Sequence, residues 1–219
     1  MNNLKSVLTI ISPFMSAMGF KRAGRHYFYI SDNIAYCISL DAPSEIVYAT
    51  AYIMPLYIPC EARYYTYGNR MNAIAGSVLP LLYGKADCEE VNDWCEAFCG
   101  AVRDDVLCFF REISTPEKLL EYVKQAEHGP TGRFNCPEVY LERLKVYTYL
   151  FLGDLPNTEM SIFQFRKAVK GSLFLATAIQ QRYYDDIDDI DRLVHGNRQG
   201  VFDYCTHIIE LSLSCLSRR

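Results

Sequence analysis

The chain has 219 residues, 50% hydrophobic and 22% charged, a balance typical of a globular protein with a sizeable core and not of a disordered chain. Its formal net charge of −4 disfavours non-specific nucleic-acid binding, because contacts with phosphate require clustered lysine and arginine. No uncharged apolar stretch approaches the roughly 20 residues of a membrane-spanning helix, and no signal peptide is recognised, so the sequence predicts a cytoplasmic protein without a membrane partner.

The N-terminal part is predicted to be one helix followed by three strands. Apolar side chains recur at three- and four-residue spacing over residues 4–18, and Gly19 stands where a glycine commonly ends a helix. The turn sequences SDN and DAPSE then separate three extended runs, at Tyr27–Ile30, Ile34–Leu40 and Ile46–Ile58. This order predicts a helix packed on a three-stranded antiparallel meander.

The third predicted strand carries apolar side chains on both of its faces. Such a strand is normally covered on both sides. One N-terminal helix covers one face of a small sheet, so later helices or another subunit are expected to cover the second face.

The C-terminal two-thirds is predicted to be mostly helical, which makes the fold class α+β. The expected parts are residues 1–68 and 69–219, packed as one compact unit, with a possible linker at 129–136. The predicted helices span about 69–83, 87–113, 116–128, 137–152, 157–183, 186–195 and 198–216. Three of them have capping signals: Asp87 with Glu90, Thr115 with Pro116, and Asn135.

Nine cysteines, an odd number without framework spacing, predict reduced thiols that act as small core residues. Cys88, Cys95 and Cys99 fall on related faces of one predicted helix. No C-x-x-C or H-x-x-x-H pair accompanies them, so neither a disulfide nor a zinc site is expected.

The sequence DDIDDID at 185–191, here called the aspartate cluster, has three interpretations. Asp185, Asp186 and Asp189 have the D-D-x-x-D spacing with which isoprenoid synthases bind magnesium and a diphosphate, and carboxylates one helical turn apart are suitable magnesium ligands. Asp185, Asp188 and Asp189 could instead form an acidic docking face for another protein.

The third interpretation is a solvated helix start. The apolar residues Ile187, Ile190 and Val194 recur at helical spacing and would turn inward, which leaves the carboxylates in water. Negative charges near a helix N-terminus are stabilised by about 0.3–1 kcal/mol each, so the cluster requires no metal ion to be stable.

A second candidate contact region is the sequence RYYTYGNR at 63–70, between the predicted sheet and helices. Arg63, Tyr64, Tyr65 and Tyr67 are of the residue types enriched in protein interfaces. The alternative is that the rings pack over the edge of the sheet.

The sequence MGFKRAGRHYFY follows the first predicted helix, and it contains a characteristic set of residues: Gly19, Phe20, Lys21, Arg22, Gly24 and Phe28. This segment resembles the opening of a bacterial family of unknown function, whose members begin with a helix, a Gly-Phe-Lys-Lys/Arg segment and an aromatic strand. The resemblance covers about the first 60 residues. It implies a similar fold for this part and a bacterial source, and it implies no catalytic residues.

The sequence contains no G-x-S-x-G, P-loop or G-x-G-x-x-G motif, and its four histidines are scattered. No cofactor is therefore expected. The leading hypothesis is a non-catalytic protein-protein interaction module whose partner is another protein. The alternatives are a magnesium-dependent enzyme built on the aspartate cluster and a small-ligand-binding module with a pocket between sheet and helices.

Overall fold

The computed structural model describes residues 3–43, 45–60, 67–74, 79–126, 134 and 136–217. The fold is α+β, as predicted, with an antiparallel sheet near the N-terminus. The described strands are β1 (Lys21–Ala23), β2 (His26–Ser31), β3 (Ile34–Asp41), β4 (Ile46–Pro55), β5 (Tyr67–Arg70) and β6 (Leu82–Tyr83). They are ordered β1-β2-β3-β4-β5, and β6 pairs with β4.

The helices of the described residues account for most of the chain after β5. They are α1 (Asn3–Ala17), α2 (Met71–Ile74), α3 (Cys88–Ala101), α4 (Leu107–Glu112), α5 (Pro116–Ala126), α6 (Glu138–Phe151), α7 (Leu155–Gly171), α8 (Thr177–Val194) and α9 (Arg198–Ser217). A π-helical segment, Val102–Val106, joins α3 to α4, so the helix predicted over 87–113 is continuous but not uniformly α-helical.

Local signals placed several of these boundaries correctly. Gly19 has φ +85° after α1, and the next amide, that of Phe20, donates to the carbonyl of Met15 at 3.0 Å. This is the glycine-ended helix that the sequence predicts. Asp32 and Asn33 both have positive φ, as the tight turn between β2 and β3 requires.

The predicted capping box and one predicted N-cap also agree with the structure. The side chain of Asp87 accepts hydrogen bonds from the backbone of Glu89 and Glu90, and the Glu90 carboxylate accepts from the backbone of Asp87. The hydroxyl of Thr115 accepts from the backbone of Lys118 at 3.3 Å. Asn135 lies outside the described residues, as does most of the predicted linker at 129–136.

Two predictions about the sheet region are wrong. The sheet has more than three strands, because β1, β5 and β6 are too short to be detected from periodicity. The helix predicted over 69–83 is replaced by β5, the four-residue α2 and β6. Asn69 and Arg70 remain extended because they pair with Ala51 and Thr50 of β4, and backbone pairing with a long strand outweighs a weak helical pattern.

The two-sided burial predicted for the third strand is confirmed. Every residue of β4 from Ala49 to Pro55 is buried. One face joins the main core under α1 and the later helices. On the other face, Tyr52 and Met54 pack in a smaller cluster with Leu216 of α9, and Ser212 of α9 donates to the carbonyl of Ile58. The last helix therefore returns to cover the second face of the sheet.

The helix α6 runs through the middle of the helical part. Its residues from Glu142 to Leu150 are all buried, and a helix that is buried on every side must be enclosed by other elements. Tyr57, just after β4, stacks on Phe151 with ring centroids 4.5 Å apart, and its hydroxyl lies 3.2 Å from the hydroxyl oxygen of Thr148. These contacts attach α6 to the end of the sheet, where the candidate site lies.

Candidate ligand-binding site

The aspartate cluster lies inside α8 and does not begin a helix. The sequence predicts separate helices at 157–183 and 186–195, and this boundary is wrong. In the structure, α7 and α8 are separated by the non-helical residues 172–176. Tyr183, Ile187 and Ile190 form one continuous buried stripe, which holds a single helix through the acidic residues. The stabilisation predicted from a helix N-terminus therefore does not apply, since Asp185 lies eight positions after Thr177.

Side-chain partners stabilise the cluster in place of the helix dipole. Asp188 pairs with Arg166 at 3.0 Å, Asp189 pairs with Arg192, and Asp185 accepts a hydrogen bond from Gln181 at 3.0 Å. All three carboxylates are exposed, as the sequence predicts.

Asp186 differs from its neighbours because it turns inward. Its Oδ2 lies 3.2 Å from Nη2 of Arg143 on α6, and the two side chains are only 16% and 10% exposed. The same Nη2 donates to the carbonyl of Pro59 at 3.1 Å. One carboxylate of the predicted magnesium set is therefore committed to a buried ion pair. Among the described residues, no three His, Cys, Asp or Glu side chains form a group that could hold a metal ion.

Two aromatic rings enclose the guanidinium of Arg143. Its Cζ lies 5.2 Å from the ring centroid of Tyr147 and 5.0 Å from that of Tyr183, which is within cation–π distance. Burial opposes the charge of Arg143, but Tyr147, Tyr67 and Asp186 outweigh it and raise the pKa of the guanidinium, so it stays protonated. Burial also raises the pKa of the Tyr183 hydroxyl to about 12, so that hydroxyl is neutral at physiological pH.

The hydrogen-bonding capacity of Arg143 is not fully used. The residue is 8% exposed, and its Nε is buried without a hydrogen-bond partner. A buried N–H group without an acceptor costs about 1–3 kcal/mol, so such groups are rare unless water, an ion or a ligand satisfies them.

Arg143 lines a cavity of about 140 Å³ between the end of the sheet, α6 and α8. Apolar residues of β4 and of the segment after it form one wall. The other described residues around it are Tyr67, Tyr140, Arg143, Ile179, Arg182 and Tyr183. The two charged members are both arginines. The cavity matches the pocket between sheet and helices that the ligand-binding hypothesis requires.

The structure describes only part of the sequence RYYTYGNR at 63–70. Arg63, Tyr64 and Tyr65 lie outside the described residues. Tyr67 is buried in β5, where its hydroxyl donates to the carbonyl of Tyr140 at 3.1 Å, and its ring borders the cavity. Tyr67 is therefore placed to contact a ligand in the cavity, whereas its role in contacting another protein stays a prediction.

Arg143 was not recognised in the sequence as a site residue, although a signal existed. Three charged residues, Glu142, Arg143 and Lys145, lie in the part of α6 from Glu142 to Leu150, every residue of which is buried. Charged side chains in a buried stretch of helix need an ion-pair partner or a ligand, because the burial of an isolated ion is very costly in free energy. Glu142 and Lys145 pair with each other at 2.8 Å, and Arg143 pairs with Asp186.

Comparison of the chain with protein-family models, with curated proteins and with solved structures finds no match. None of the helices within the described residues has the length and apolar character needed to cross a membrane.

Proposed function

We propose that the protein is a non-catalytic binding protein that holds a small organic ligand in the cavity between the sheet, α6 and α8. The observation that supports it best is the buried Arg143, which lines the cavity and has an N–H group without an acceptor. Ligand sites are typically apolar and aromatic cavities with a few well-placed polar groups, and this one has that composition. A bacterial source and a cytosolic location are part of the same proposal.

The test is thermal unfolding of the protein in the presence of a panel of monocyclic acids, alcohols and amines. A ligand that binds only the folded state raises the melting temperature, by the equivalent of about 2.7 kcal/mol at a concentration 100 times its Kd. Ile179 is at the cavity and partly exposed, so Ile179→Trp should obstruct the cavity without unfolding the protein. Leu173→Trp, at a fully exposed position in the α7–α8 connection, is the matched control.

Compounds that stabilise the wild type and the Leu173→Trp variant but not the Ile179→Trp variant would support binding in this cavity. A panel without any stabilising compound, or one whose compounds stabilise the Ile179→Trp variant equally, would contradict the proposed function.

A protein-protein interaction module is the second candidate, and exposed apolar side chains favour it. Met160 and Phe163 lie one turn apart on α7 and are 70% and 67% exposed. Apolar surface of this kind is often used in contacts with other proteins. The aspartate cluster supports this role less than its sequence suggests, because Asp188 and Asp189 are already paired with arginines.

The docking role of the aspartate cluster has its own test. If it binds a protein partner, Asp185→Asn combined with Asp189→Asn should weaken that complex at low ionic strength and leave small-molecule binding unchanged. A partner that still binds this double variant but does not bind Phe163→Ser would instead show that the apolar surface of α7 is the binding surface.

A further inference from the structure

The charges around the cavity favour one sign of ligand. Arg143 and Arg182 are the charged side chains among its described lining residues, and no aspartate or glutamate is among them. Asp186 neutralises Arg143 from outside the cavity lining, through Nη2 alone. Among the described lining residues, a cationic ligand would therefore meet two arginines and no carboxylate.

The geometry of Arg143 also favours an oxygen acceptor. A guanidinium has five N–H donors in a planar fork, whose shape matches that of a carboxylate. The two hydrogen bonds of Arg143 to Asp186 and Pro59 both come from Nη2, and Nε has none. The rings of Tyr147 and Tyr183 hold the fork in place, so it loses little conformational freedom when it binds.

The apolar part of the ligand has aromatic and aliphatic neighbours. Tyr140 and Tyr183 meet edge to face, with centroids 6.4 Å apart. Phe174, which is exposed in the α7–α8 connection, lies 6.2 Å from Tyr140, and the partly exposed Ile179 is one of the lining residues. Apolar side chains near the cavity thus include two at exposed positions, Phe174 and Ile179.

The volume limits the size of the ligand. The cavity of about 140 Å³ is close to the engineered cavity of about 150 Å³ that holds one benzene molecule. The enclosed part of a ligand is therefore about one six-membered ring or a short aliphatic chain.

We propose that the cavity binds a small monocarboxylate, whose carboxylate accepts hydrogen bonds from Arg143 and whose single ring or short chain lies against Tyr140, Tyr183 and Ile179. This proposal rests on the proposed ligand-binding function and adds the charge and size of the ligand to it. In this arrangement the carboxylate lies against the guanidinium of Arg143, and Arg182 belongs to the same cavity lining.

The experiment compares three probes that share one ring and differ in charge: benzoate, benzyl alcohol and benzylamine. Each is titrated into the protein by isothermal calorimetry at neutral pH and constant ionic strength. Benzoate should bind at least about tenfold more tightly than benzyl alcohol, since a hydrogen bond to a charged group contributes about this factor. Benzylamine should bind most weakly of the three.

Two substitutions locate the effect. Arg143→Lys keeps a positive charge opposite Asp186 but lacks Nε and the planar fork, so it should reduce the preference for benzoate over benzyl alcohol several-fold. Ile179→Trp should weaken all three probes, and Leu173→Trp should weaken none. Circular dichroism shows whether Arg143→Lys folds. If it does not, the comparison of the three probes with the wild type and with Ile179→Trp still tests the carboxylate proposal.

Suppose that benzyl alcohol binds as tightly as benzoate and that Ile179→Trp abolishes its binding. This result would overturn the carboxylate proposal but would still support the ligand-binding function. Benzoate binding that is unaffected by Ile179→Trp would also overturn it, because the site would lie elsewhere. Absence of benzoate binding would overturn it too. The proposed function itself would fail only if no compound of the wider panel bound at this cavity either.

Discussion

The inward-facing carboxylate of Asp186 gives the sharpest test of the structure, because its neighbour Asp185 is a matched control in the same helix. Asp186→Asn removes the negative charge opposite the buried guanidinium of Arg143 and keeps an amide oxygen of nearly the same shape. Asp185→Asn makes the same chemical change on the exposed face of α8.

The expected magnitude follows from burial. Removing one partner of a buried ion pair costs about 3–5 kcal/mol, because the other charge is left uncompensated. Here the amide oxygen can still accept one hydrogen bond, and Tyr147 and Tyr183 still contact the cation. We therefore expect Asp186→Asn to lower the free energy of unfolding by about 2–3 kcal/mol. Asp185→Asn should change it by no more than about 0.5 kcal/mol.

Urea denaturation at neutral pH measures both changes. With a slope of about 2–3 kcal/mol per molar, the midpoint of Asp186→Asn should fall by roughly 1 M, while that of Asp185→Asn stays within error. Equal stabilities for the two variants would show that Asp186 is not paired in a buried site. A larger loss for Asp185→Asn would refute the orientation of α8 itself.

Four further outcomes are expected. Burial raises the pKa of Glu142 from its ordinary 4.5 to about 7. The protonated carboxyl group therefore contributes stability that is present below pH 4.5 and is lost as the pH rises through 7. Unfolding measured at a series of pH values should show this loss, at most about 3 kcal/mol, in the wild type and not in Glu142→Gln. Gly68→Ala should cost about 1–3 kcal/mol in urea denaturation, because a Cβ there would lie 2.4 Å from Cβ of Tyr52 on the paired strand. Titration of the denatured, unreduced protein with a thiol reagent should find all nine cysteines free, and a smaller number would reveal a disulfide. Millimolar magnesium should leave the melting temperature unchanged, whereas a rise that Asp185→Asn with Asp189→Asn abolishes would restore the magnesium hypothesis.

The features that the sequence predicted correctly are determined by neighbouring residues. The glycine at position 19 ends α1 because its positive φ is inexpensive without a side chain. The capping box of Asp87 and Glu90 forms within four residues. The apolar periodicity of α3 and α9 is long enough to identify a helix without knowledge of its neighbours.

The errors occur where distant residues decide the local structure. The segment 67–70 is a strand because β4 pairs with it, and Gly68 lies so close to Tyr52 that no side chain would fit. The sequence predicts a helix start near residue 186, because the acidic run there resembles a helix N-terminus. Its arginine partners, Arg143 and Arg166, are distant in sequence.

The candidate site was beyond sequence reasoning for a related reason. Its components come from β4, the segment after it, β5, α6 and α8, and most of them are apolar or aromatic residues of types that are common in protein cores. Arg143 is distinguished by its position in the buried stretch of α6, and that burial is a property of the assembled fold. A cavity does lie between the sheet and the helices, and the binding of a ligand in it stays a prediction.

The energetics of the Arg143–Asp186 pair bear on the proposed ligand-binding function. A buried ion pair contributes little net stability, because the cost of removing both charges from water offsets their attraction, and apolar residues of similar volume often stabilise a protein more. A pair kept only for stability would also have its hydrogen bonds satisfied, yet Nε of Arg143 has no acceptor. The uncompensated donor lies in a residue that lines a ring-sized cavity. Under the proposed function, a small anion would pair with this cation, which contacts two tyrosine rings and one carboxylate.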